Sequence, residues 1–104
     1  MENFKNKIAV VTGGGTGMGR ELVRQLAAEG CHVAMCDVIQ ENMDETFEIV
    51  SKECPNIKVT KHICDVSDEE QVLQFRDEVI DQHETPVINL LFNNAGIGGG
   101  GSFV

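Results

Sequence analysis

Residues 12–19 read TGGGTGMG, five glycines in eight positions, set between the apolar run Ile8-Ala9-Val10-Val11 and the stretch RELVRQLAAEG at 20–30. Glycine in the interior of a regular element costs roughly 0.5–1 kcal/mol relative to alanine, so a cluster of them needs a compensating purpose. The preceding run, Lys7 to Thr12, is short and β-branched, fit for a strand buried on both faces. After the glycines, Met18, Leu22 and Leu26 recur at i, i+4 and i+8 and predict a helix that Gly30 stops. The cluster therefore lies at a strand-to-helix turn. There, bare backbone N–H groups and the positive helix end can meet an anion such as a pyrophosphate.

The same alternation continues outward. His32 to Asp37 (HVAMCD) predicts a second strand, and Met43, Phe47, Val50 and Cys54 form the apolar stripe of a second helix ended by Pro55. Ile57 to Cys64 alternates more and suggests a third strand nearer a sheet edge. Ser67-Asp68-Glu69-Glu70 has the form of a capping box. It opens a third helix whose buried face is Val72, Phe75, Val79 and Ile80, broken by Pro86. Val87 to Phe92 (VINLLF) is a fourth strand, followed by Asn93-Asn94-Ala95-Gly96 and a glycine run at 98–101. Strands alternating with helices of this length imply an α/β fold with a parallel sheet and right-handed crossovers.

Composition narrows the function classes. A chain of 104 residues, 41% hydrophobic and 24% charged, makes at most one small globular domain. Its net charge of −9 argues against a nucleic-acid partner, because such binding draws on Lys and Arg neutralising phosphates. The acid concentrated from Asp65 to Glu84 reads as a solvated helix face. Cys31, Cys36, Cys54 and Cys64 form no C-x-x-C pair and share no histidine spacing, so no metal site is expected, and a reduced, cytoplasmic setting is the default. Cys36 and Cys64, each before an aspartate on neighbouring strands, are expected side by side and slow to react. No apolar run reaches membrane-spanning length, so no membrane partner is expected. His32, His62 and His83 sit in no motif, and Met18, Met35 and Met43 are expected in the core.

Several nucleotide motifs share glycine-rich turns. A P-loop from Gly14 places Gly19 correctly, but Arg20 and Glu21 stand where the lysine and the hydroxyl belong. The G-x-G-x-x-G fingerprint fails from Gly15, at Arg20, and from Gly13, at Met18. Gly13, Gly15 and Gly17 form a G-x-G-x-G run that resembles the first motif of Rossmann-like S-adenosylmethionine methyltransferases. Those usually carry an acid just before the glycines, where this chain has Val10, Val11 and Thr12. The pattern that fits is T-G-x-x-x-G-x-G, Thr12 to Gly19. With Asn93-Asn94-Ala95-Gly96 closing the fourth strand, the whole chain resembles the N-terminal portion of the short-chain dehydrogenase/reductase family.

That resemblance implies one incomplete Rossmann domain over 1–104, with strands in the order 3-2-1-4, belonging to an oxidoreductase that moves hydride between a nicotinamide cofactor and an alcohol or carbonyl. It also implies a homo-oligomer for the complete protein. Gly13, Gly15, Thr16, Gly17, Met18 and Gly19 would line the pyrophosphate and adjoining ribose, and Thr12 would tie the loop toward residues 93–96. Asp37, closing the second strand, would accept the hydroxyls of the adenosine ribose and repel a 2′-phosphate. Thr16 and Val38 hold the places where NADP selection usually shows a basic residue, so NAD is expected over NADP. Asp65 and Val66 would meet adenine, and Asn93, Ala95 and Gly96 would pass under the ribose. No catalytic residue carries over. The family's serine, Y-x-x-x-K pair and supporting asparagine lie beyond N-N-A-G, this sequence contains no tyrosine, and Ser51, Ser67 and Ser102 fall in the wrong segments. A non-catalytic module binding an adenine nucleotide is the first alternative reading, and a Rossmann-like S-adenosylmethionine methyltransferase the second.

Overall fold

All five residues of β1 (Ile8–Thr12) are buried, and their side chains divide between two faces. Ala9 and Val11 join one core cluster, and Ile8 and Val10 join the other. β2 (His32–Asp37) divides likewise, Val33 and Met35 on one side, Ala34 and Cys36 on the other. Period-two side-chain alternation with both faces apolar requires a cover on each side. In the computed structural model, which describes residues 7–15, 17–84 and 89–93, helices supply both covers.

α1 (Gly17–Ala28) and α2 (Gln40–Glu53) close the first face with Val23, Leu26, Ala27, Met43 and Val50. α3 (Glu69–Gln82) closes the second with Val72, Phe75 and Val79. Each of these valine, leucine, methionine and phenylalanine side chains removed from water contributes about 1.5–3 kcal/mol. β3 (Val59–Ile63) and β4 (Leu90–Asn93) complete a parallel sheet in the order β3-β2-β1-β4. β3 is buried only at Val59 and His62, as suits an edge strand. Asn89 fixes β4 at its start: its side-chain oxygen accepts from Ile8 N, and its own N–H donates to Ile8 O, both at 3.0 Å.

Three local readings are corrected. Met18 is not in the core. It is 72% exposed, and α1 buries Gly19, Val23, Leu26 and Ala27 instead, because the helix starts at Gly17 and turns its first side chain outward. Ile80 is half-buried, outside the α3 core face. The cap of α3 is Asp68, whose side chain accepts from Glu70 N and Gln71 N. Ser67 is turned back, its amide and hydroxyl both donating to Asp65 Oδ1. Val87, Ile88 and the glycine run from Gly98 lie outside the described residues.

Cys36 and Cys64 are buried together on the α3 face as free thiols. Burial, with the neighbouring Cys64 thiol, pushes the Cys36 thiol far above its ordinary range. A thiol kept protonated is a poor nucleophile. No described helix is long and apolar enough to cross a membrane.

Candidate functional site

Strand register brings the motif residues to one edge of the sheet. Thr12 lies beside Cys36 in β2 and beside Asn93 in β4, and Asp37 lies beside Ile63 in β3. In a parallel sheet these are the carboxyl ends of all four strands, where such folds bind their ligands. Cys64 N donates to Asp37 O at 3.1 Å, which draws the segment leading to Asp65 to the same edge.

The glycine loop crosses this edge close to the backbone beneath it. Gly13, at φ 67°, turns the chain out of β1, and Gly14 N then donates to Cys36 O at 3.1 Å. A Cβ on Gly14 would sit 2.6 Å from the Met35 Cβ. On Gly15 it would sit 2.7 Å from both Asn42 Cβ and Asp37 Oδ2. Neither position has room for a side chain. Gly17 differs: its φ is 58° and, among the described residues, nothing lies within 4 Å of where its Cβ would be, so the start of α1 is open on that side. α1 also carries no acid in its first turn, whereas α2 begins with Glu41 and α3 with Glu69 and Glu70. The positive end of α1 is thus left for an external anion.

Asp37 is the pivot of the edge. Its Oδ2 accepts from Gly15 N at 3.0 Å and its Oδ1 from Val38 N at 2.7 Å, so the carboxylate is oriented by two backbone amides. Val38 and Met18 are exposed on either side of it in sequence, at 57% and 72%. Asp65 and Val66 are half-buried. The Ser67 hydroxyl and amide hold the Asp65 carboxyl below the usual carboxylate range. Asp65 N is held in turn by Gln71 Oε1 at 2.8 Å. Gly19 is buried within α1. Thr16, Asn94, Ala95 and Gly96 lie outside the described residues.

The profile of the family described as short chain dehydrogenase matches residues 7–104. The chain belongs to this family. It is 35% identical over 96 residues to levodione reductase of Leifsonia aquatica, which covers 92% of this chain and 35% of that enzyme. The crystal structure of a short chain dehydrogenase/reductase from Burkholderia phymatum in complex with NAD superposes with a TM-score of 0.82 at 32% identity, covering 94% of this chain and 34% of that one. A metagenomic short-chain oxidoreductase in complex with NADP gives 0.80 at 26% identity, covering 92% and 42%. The chain spans about a third of the length of the curated relatives it matches.

In this member of the family the sequence pattern left some of the site unread. Arg20, which disqualified the P-loop, donates through Nη2 to Gly15 O at 2.7 Å and through Nε to Thr46 Oγ1 at 2.8 Å. Thr46 is fully buried in α2 and donates to the same Gly15 oxygen at 3.0 Å. Its signal was present: a threonine three residues after Met43 and four before Val50 stands on the apolar stripe, and a buried hydroxyl must have a partner. Gly14, which the sequence reading did not single out, leaves the least room for a Cβ, 2.6 Å from the Met35 Cβ of β2.

Proposed function

We propose that residues 1–104 are the N-terminal part of a single Rossmann-type domain that binds NAD for an oxidoreductase acting on a small alcohol or carbonyl substrate. The observation that carries this reading is the Asp37 carboxylate at the end of the strand beside β1, oriented 3.0 Å from the Gly15 amide. An acid so placed accepts the hydroxyls of an adenosine ribose and repels a 2′-phosphate. Solved relatives hold NAD in one case and NADP in another. The preference for NAD therefore rests on Asp37 and on the absence of a basic residue at Thr16 and Val38.

The fit to a dinucleotide is supported by the open space over Gly17 and by a loop in which Gly14 and Gly15 admit no Cβ. Gly13, Gly15, Thr16, Gly17, Met18 and Gly19 would hold the pyrophosphate and its ribose. Asp65 and Val66 would take adenine by carboxylate and backbone amide. Asn93, Ala95 and Gly96 would support the ribose from below, with Thr12 tying the two loops. When bound, the nicotinamide supplies the hydride chemistry. A cytoplasmic homo-oligomer belongs to the same reading.

None of this chain's residues is assigned to catalysis. The sequence has no tyrosine to serve as the acid/base group, Ser51 is exposed in α2, and Ser67 is committed to Asp65. General acid/base catalysis supplies typically ~10²–10⁴-fold, and positioning more. Purified chain incubated with NAD and a panel of secondary alcohols should give no reduced-cofactor absorbance above background. The protein extended through a downstream Y-x-x-x-K segment should gain turnover. Reproducible turnover by the 104-residue chain, surviving further purification, contradicts the assignment.

A further inference from the structure

Gly15 is held at both of its main-chain groups. Its N–H donates to Asp37 Oδ2, and its carbonyl oxygen accepts from Arg20 Nη2 at 2.7 Å and from Thr46 Oγ1 at 3.0 Å. The Thr46 hydroxyl has one proton to give, spends it on Gly15 O, and accepts from Arg20 Nε at 2.8 Å. Arg20 also reaches Asn42 O at 3.3 Å, while its nearest carboxylate oxygen, Glu45 Oε1, is 3.5 Å away and exposed. The shortest bonds of this guanidinium thus go to Gly15 and to Thr46, not to an acid.

The steric facts explain why such a clamp is needed. A side chain at position 15 would collide with Asp37 and Asn42, so the residue must be glycine, the one with the most backbone freedom. Rigidity must come from outside the residue. The planar arginine fork reaches a hydroxyl and a carbonyl at once, which a lysine ammonium does not reproduce.

We propose that Arg20 and Thr46 are positioning residues for cofactor discrimination: by fixing Gly15 from its carbonyl side they keep its amide on Asp37, and so set the orientation of the carboxylate toward the ribose. This rests on the reading of Asp37 as the ribose acceptor. Neither side chain needs to touch the cofactor.

The test compares Thr46→Val, which removes the hydroxyl at nearly constant shape, Thr46→Ser, which keeps it, and Arg20→Lys, on a partly exposed side chain. Amide hydrogen exchange of the segment 12–20, referenced to α3, and dissociation constants for NAD and for NADP are measured in each. Thr46→Val and Arg20→Lys should speed exchange in 12–20 alone and lower the NAD-over-NADP preference about tenfold, with Thr46→Ser staying within about twofold of the parent. A merely structural role would weaken both cofactors equally and leave their ratio unchanged. An unchanged ratio in folded Thr46→Val and Arg20→Lys overturns the proposal. If Thr46→Val does not fold, Arg20→Lys decides. Asp37→Asn, run in parallel, separates the two claims: if it leaves the ratio unmoved, the ribose reading fails, while exchange in 12–20 still reports whether the clamp holds Gly15.

Discussion

Gly14 meets a side-chain atom that cannot easily move. The Met35 Cβ is fixed to a central strand, and a new Cβ 2.6 Å from it forces the loop or β2 to shift, even though the flexible Met35 sulfur could yield. Overpacking of this kind costs about 1–3 kcal/mol. Gly14→Ala should therefore lower the urea midpoint by a corresponding amount without changing the slope, and an unaltered midpoint would show that the loop does not lie on β2 as described. The glycine run in the sequence announced close approach in general terms. It did not say which glycine approaches what, because that depends on the side chain opposite, which only the β1–β2 register supplies.

Among elements, β3 and α3 share a polar feature inside an apolar layer. Glu78 Oε1 lies 2.7 Å from His62 Nδ1, His62 Nε2 lies 2.8 Å from Thr60 Oγ1, and Thr60 Oγ1 lies 2.8 Å from His83 Nε2. His83 Nδ1 is buried with no hydrogen-bond partner among the described residues. Burial, then the charges of Lys58, His62 and His32, push the His83 imidazole down to about 4 from its usual 6.5. A histidine depressed in the folded state is protonated first in the unfolded chain as pH falls. Its stability contribution is thus full above pH 6.5 and is lost between pH 6.5 and about 4. With His83 only partly buried, the loss is on the order of 1–2 kcal/mol after solvent screening is allowed for. Denaturation at pH 7 and pH 5 should show it, and His83→Gln should flatten the difference. A parent protein equally stable at both values would contradict the placement of His83. The elements themselves were legible, since period-two and period-3.6 patterning marked the strands and helices. Their edges were less so. The S-x-x-E pattern pointed to Ser67, but a neighbouring aspartate won the cap once Asp65 captured the serine hydroxyl.

At the scale of the molecule, the sheet has unequal edges. β3 carries Lys61 and ends against Asp37, whereas β4 lies at the other end of the sheet with Leu91 40% exposed. An apolar edge strand invites pairing with another copy. The chain should show aggregates or a mixed population in sedimentation at micromolar concentration, and a sharp, stable monomer boundary would contradict β4 as an edge that pairs, at the end of the described sheet. The candidate site was legible where a motif names residue types at fixed spacing, as with the loop from Thr12 to Gly19 and with Asp37. It was not legible where the supporting residues come from a separate helix. Thr46 is 31 residues from the Gly15 carbonyl it binds, and no local pattern joins them.

The assignment of Asp37 is the claim on which the rest depends, and cofactor affinity tests it most directly. Dissociation constants for NAD and NADP are to be measured by calorimetry on the unmodified protein and on Asp37→Ala. NAD should bind more tightly than NADP to the unmodified protein. The substitution should cost roughly 1.5–3 kcal/mol in NAD binding, with no matching loss for NADP once its 2′-phosphate is no longer repelled. Tighter binding of NADP by the unmodified protein would contradict the assignment.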